Sequence, residues 1–134
     1  MDLSGGDILS RFIFSKRHFS IENRTVKYGA FIPPPNSADL SVFFVSSLTH
    51  SEIWEIGRGY VQTDERKLKA RADLTVENVY AVNLKVVPDT QPHELHANIT
   101  PFPLDKRERA ALARKLAVAS KLEMIPSQDT DSDS

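Results

Sequence analysis

The chain has 134 residues, 40% hydrophobic and 26% charged, with seventeen basic residues against eighteen acidic ones for a formal charge of -1. That is the size and composition of one globular domain that buries a core without covalent staples. No cysteine is present, which excludes disulfides, thiolate nucleophiles, iron–sulfur clusters and Cys-ligated zinc, while the near-neutral balance excludes the strong positive field of a general nucleic-acid binder.

The N-terminus has neither the basic start nor the apolar run of a signal peptide, and no apolar stretch is long enough to span a bilayer, so a cytoplasmic location without membrane association is expected. The last eight residues carry three Asp and no base. Residues 1–126 are therefore expected to form a single compact domain, and residues 127–134 a disordered acidic tail.

In chain order, residues 11–15 read as a first strand, rich in aromatic and β-branched side chains, and residues 16–23 as a loop. Residues 25–32 supply a second strand, ended by Pro33-Pro34-Pro35, which removes three successive backbone donors. An antiparallel pair of these two strands is the simplest arrangement. Residues 40–46 form the most apolar run and should make a central strand. Thr49-His50-Ser51-Glu52 fits the S/T-x-x-E capping box and so predicts a helix start. Ile53, Trp54 and Ile56 form its stripe, and Gly57 or Gly59 its end.

Residues 64–67 are a solvated turn. Residues 68–74 alternate at period two, with Leu68, Ala70, Ala72 and Leu74 on one face and Lys69, Arg71 and Asp73 on the other, so that second face should be exposed or site-lining. Thr75 predicts a short capped helix over 76–82 closed by Asn83, and residues 84–87 a strand stopped by Pro88. Residues 95–102 form a further strand, which Pro101 places at an edge or ends early. Asp105 and Glu108 start a long helix over 106–121, with Leu112, Ala113, Leu116, Ala119 and Leu122 as its buried stripe. The expected fold is α+β: a mixed or antiparallel sheet of about five strands, a long C-terminal helix on one face and one or two short helices.

No P-loop, dinucleotide, nucleophile-elbow, H-E-x-x-H or calcium-loop pattern occurs, so P-loop nucleotide hydrolysis is not expected. Two polar clusters remain, each with a plain reading as solvated surface. In the first, Glu94, His96 and Asn98 share one strand face. An imidazole beside a carboxylate and an amide can serve as general acid or base, which makes His96 the candidate catalytic group with Asn98 and Glu94 as its orienters. His93 and His96 fall on opposite strand faces without a third ligand, so neither a metal site nor a cofactor is expected.

In the second cluster, Lys16, Arg17 and His18 form a basic loop that can grip a phosphate. Arg71 and Asp73 either join them, Arg71 as an anion ligand and Asp73 as the orienter of a base, or simply pair with neighbouring charges. His18-Phe19-Ser20 and His96-Ala97-Asn98 share the form His-x-polar, and a shared phosphate site would need the two to face one another. Lys106, Arg107 and Arg109 at the last helix start are a weaker phosphate contact, since Asp105 and Glu108 already satisfy the amides there.

These residues point to binding or processing of a phosphate-bearing ligand, a small nucleotide or RNA, in a pocket of His18, Arg71 and His96, with enzymatic activity left open. The alternative is a non-catalytic, antitoxin-like accessory module that meets a protein partner through an edge strand or the proline-rich residues 32–36. Nothing in the sequence sets an oligomeric state.

Overall fold

The structure, a computed structural model, describes residues 5–91 and 93–126; the tail expected at 127–134 lies outside the described residues. The strands are β1 (Ile8–Ile13), β2 (Phe19–Ser20), β3 (Thr25–Val26), β4 (Leu40–Phe44), β5 (Ala70–Thr75), β6 (Lys85–Pro88), β7 (His96–Thr100) and β8 (Lys121–Met124). The helices are α1 (His50–Ile56), α2 (Val76–Tyr80) and α3 (Lys106–Ala119). Six strands form one antiparallel sheet in the order β6-β7-β4-β1-β5-β8, and β2 and β3 pair in a separate ribbon. The class is α+β, as the patterning predicts.

Strand alternation divides the sheet into two unequal faces. On one, Leu9, Leu40, Val42, Ala70, Ala72, Leu74, Ala97 and Ile99 pack beneath α2, α3 and a 3-10 turn, Tyr28–Phe31, to form the larger core. On the other, Phe12, Phe43 and Val45 are covered by Ile53, Trp54 and Ile56 of α1. Each fully buried Leu or Ile contributes about 1.5–3 kcal/mol, which is why the α3 face dominates stability.

The helix starts follow local chemistry. Thr49 Oγ1 accepts from Glu52 N at 3.1 Å while Glu52 Oε1 accepts from Thr49 N at 2.9 Å, closing the capping box reciprocally. Thr75 and Asn78 repeat the exchange at α2, and Asp105 accepts from Glu108 N at α3. Asn83, at φ 66°, turns the chain out of α2. After α1 the helix widens into π-type turns over Gly57–Val61. A Cβ on Gly57 would lie 2.6 Å from Leu68 Cδ2 and 2.9 Å from Phe12 Cε1, so only glycine lets this backbone settle onto the sheet.

Three expectations are corrected and one is narrowed. Residues 25–32 do not form one strand: β3 lasts two residues, and the 3-10 turn after it buries Phe31 completely under α3. That burial outweighs local strand propensity. Consequently β1 pairs with β4 and β5 rather than with the second strand. Of the two outcomes expected from Pro101, the early end is the one found: β7 stops at Thr100 and is interior, between β6 and β4. The last helix stops at Ala119, which is exposed, while Ala117 is buried in its place. Residues 121–124 then form the edge strand β8 against β5, with Leu122 opposite Ala72.

Candidate functional site

His96 opens β7 on the α1 face of the sheet and is buried. Its Nδ1 lies 2.8 Å from the Asp89 carbonyl oxygen, which only accepts, so Nδ1 carries the proton and Nε2 is the acceptor. Ser41 Oγ, 2.6 Å away, donates to that Nε2. The Asp89 carboxylate stands 3.8 Å from Nδ1 and accepts from Asn98 Nδ2 at 3.4 Å. Asn98 therefore touches Asp89 rather than the imidazole. Glu94 corrects the expectation further: it lies in the turn before β7, exposed, and shares no strand face with His96. Because the strand begins only at His96, His93 and His96 do not point apart either; both rings stand steeply against the Phe43 ring, with centroids 5.9 and 5.2 Å from its own. Among the described residues no group of three His, Asp or Glu side chains is placed to hold a metal.

Arg71 is completely buried, not exposed on a site-lining face. The pattern gave the correct face, but α1 covers it. Arg71 Nε donates to both Asp73 oxygens at 3.1 and 3.2 Å, and Ser10 Oγ donates to the same carboxylate. Nη2 donates to His50 Nδ1 at 2.6 Å, which fixes that ring with its acceptor toward the arginine. The guanidinium carbon lies 4.6 Å from the centre of the Trp54 ring. Only Nη1 has no hydrogen-bond partner among the described residues. An ion pair this well enclosed holds α1 to the sheet; it is not open to a ligand anion.

His18 stands elsewhere. Ser15 Oγ accepts from Arg17 N and starts the 3-10 turn Lys16–His18, which leaves Lys16 and Arg17 exposed and turns the His18 ring against Gly29. A Cβ on Gly29 would lie 2.8 Å from His18 Cδ2, so glycine is required for this approach. The ring lines a cleft of about 270 Å³ with Arg11, Arg66, Glu65, Phe14 and Ser15. It also lines a second cleft of about 510 Å³, together with Arg17. Neither contains Arg71 or His96, so the two His-x-polar segments do not build one site. Lys16 lines neither cleft.

The smaller cleft contains two cations that the motif reading missed. Arg11 occupies an inward position of β1 between Leu9 and Ile13, and its Nε and Nη1 donate to the carbonyls of Ala30 and Ser41 at 2.9 and 3.0 Å. The hydrogen bonds of its guanidinium to described residues come from Nε and Nη1, and none from Nη2. Arg66, expected only in a solvated turn, places its guanidinium carbon 4.6 Å from the centre of the Phe14 ring. No carboxylate lies within ion-pairing distance of either arginine among the described residues. The electrostatic consequence is direct. Burial, and then the charge of Arg66, push the Arg11 guanidinium down to about 10. Burial, followed by the charges of Arg11 and Arg66, lowers His18 below its ordinary 6.5.

Of the remaining candidates, Lys106 and Arg107 are exposed at the start of α3, and Arg109 is occupied by structure. Arg109 is buried, its Nη1 donating to the carbonyls of Ser37 and Pro103 and its Nη2 to those of Pro33 and Pro34. It ties the proline-rich segment to α3, leaving Pro34, Pro35 and Asn36 exposed, and both its terminal nitrogens are taken up by carbonyls. No helix among the described residues is long and apolar enough to cross a membrane. No family model, curated protein or solved structure matches the chain.

Proposed function

We propose that the protein binds a phosphate-bearing small molecule in the cleft formed by Arg11, His18 and Arg66. The observation that supports this reading is the convergence of two guanidinium groups and an imidazole against a single carboxylate, Glu65, which pairs with none of them within ion-pairing distance among the described residues. Holding like charges together in a partly buried cleft costs free energy. A phosphate oxygen accepting from Arg11 Nη2 and the His18 ring converts that repulsion into charge-assisted hydrogen bonds. Arg71 and His96, expected in the same pocket, take no part.

Thermal unfolding at low ionic strength tests the proposal, with inorganic phosphate compared against chloride at matched ionic strength. At phosphate near a hundred times its Kd, the expected stabilisation is about 2.7 kcal/mol, or roughly 10 °C, and Arg66→Gln should remove it. Equal shifts with chloride, or an undiminished shift in the variant, would refute the reading.

A second reading keeps His96 as a base, favoured by the Ser41 Oγ to His96 Nε2 contact of 2.6 Å. Ser41 would be the nucleophile, His96 its base and the Asp89 carbonyl the group that fixes the tautomer. A fluorophosphonate probe tests it: labelling of Ser41 that His96→Ala abolishes supports the reading, and an inert serine ends it.

A further inference from the structure

The second cleft shares His18 with the first, and its walls differ in kind. Its floor is Val26, Tyr28, Ala117 and Val118, and its cations are Arg17, Lys27 and Arg114. Tyr28 is 43% exposed and Val118, on α3, is 87% exposed, so apolar surface faces the opening. Arg114 lies over the Tyr28 ring at 4.6 Å, extending the aromatic surface into a positively charged plane. Among the described residues no Asp or Glu lines this cleft. Its volume of about 510 Å³ falls within the usual range for small-molecule sites.

We infer that the ligand is a phosphate ester with a planar body, of mononucleotide size, whose phosphate sits among Arg11, His18 and Arg66 and whose ring lies against Tyr28, Arg114 and Val118. The inference rests on the phosphate reading above and specifies its ligand. His18 stands at the junction, where it meets the ester oxygens. An apolar floor with a cationic rim and no acid favours an anion with an apolar body over a neutral hydrophobe, which leaves the charges unpaired, and over a bare anion, which leaves Tyr28 and Val118 uncovered. A guanidinium resting on an aromatic ring also suits a flat, electron-rich heterocycle better than a flexible chain.

Calorimetric titration of the full chain with four probes separates the possibilities: inorganic phosphate, adenosine 5′-monophosphate, adenosine and hexyl phosphate. The nucleotide is expected to bind at least about tenfold more tightly than phosphate, a difference of about 1.4 kcal/mol, with adenosine weaker than the nucleotide. Val118→Asp, at an exposed helix position outside the smaller cleft, should erase most of that tenfold advantage and leave phosphate binding within twofold. A nucleotide no tighter than phosphate overturns the inference and leaves the phosphate reading standing. Hexyl phosphate matching the nucleotide overturns the planar body in favour of an alkyl one. Absence of binding by every phosphate-bearing probe overturns both.

Discussion

The two polar regions of this molecule contain the same side chains and treat them in opposite ways. Beneath α1, the charge of Arg71 meets Asp73, and His50 Nδ1 and both ring nitrogens of His96 have defined partners. In β1, Arg11 is bound among the described residues only by neutral carbonyls and faces a second cation. A buried charge with its counter-charge is a structural element, and removing either half exposes the other to a desolvated environment. A charge held beside like charges contributes nothing comparable to folding, and the anion proposed above would supply the counter-charge that the described residues around Arg11 do not. Residue type alone does not distinguish the two, because both regions offer His and Arg.

The largest expected effect breaks the paired region. Arg71→Met keeps much of the volume but strands Asp73 with only Ser10 as donor, and should cost about 3 kcal/mol of stability. Chemical denaturation measures it. Phosphate affinity of the folded variant should remain within twofold of the parent, since Arg71 lines neither cleft of His18. A variant that loses phosphate binding while still folded would join the two regions into one site and undo the comparison.

Much of the fold was legible because its signals are local. Thr49 with Glu52, Thr75 and Asp105 are helix starts whose partners lie three residues away, and the alternation through Ala70, Ala72 and Leu74 placed Arg71 on the correct face. What failed depends on distant contacts. Lys121, Leu122, Glu123 and Met124 have helix-forming composition, and become a strand only because β5 offers an unpaired edge. Phe31 leaves strand geometry because α3, some eighty residues later, covers it. The site followed the same division. His18, Lys16 and Arg17 stand out as a basic run, whereas Arg11 is embedded in an apolar strand and Arg66 in a run of mixed charge. One signal was present for Arg11: a cation at an inward strand position, flanked two residues away by Leu9 and Ile13, must be either paired or functional.

A smaller effect comes from pH. The His18 pKa lies below 6.5 in the folded protein, so as pH falls through that value the unfolded chain takes up the proton first, and His18 then disfavours the folded state. A bound anion raises the folded pKa and reverses this, so anion binding is accompanied by proton uptake. Sulfate is the suitable probe, because a phosphate ester itself loses charge near pH 6. Sulfate affinity should rise several-fold from pH 8 to pH 5.5, about tenfold for each unit that the anion lifts His18. In His18→Gln the profile should be flat; a profile that persists in that variant assigns the proton to another group.

The smallest effect is the sharpest test of the comparison, because its sign is unusual. Arg66 is exposed and has no ion pair among the described residues, yet its charge lowers both Arg11 and His18. Arg66→Gln removes that repulsion along with the contact to Phe14. The net change in stability should lie within about 0.5 kcal/mol, on the stabilising side at low salt, and should shrink toward zero by about 1 M salt, where the screening length falls to about 3 Å. Urea denaturation at two salt concentrations reads it. Destabilisation by more than about 1 kcal/mol, independent of salt, would make Arg66 a clamp on Phe14. The cationic cleft would then be held together by packing in the same way that the Arg71 region is held by its ion pair, and the contrast between the two regions would disappear.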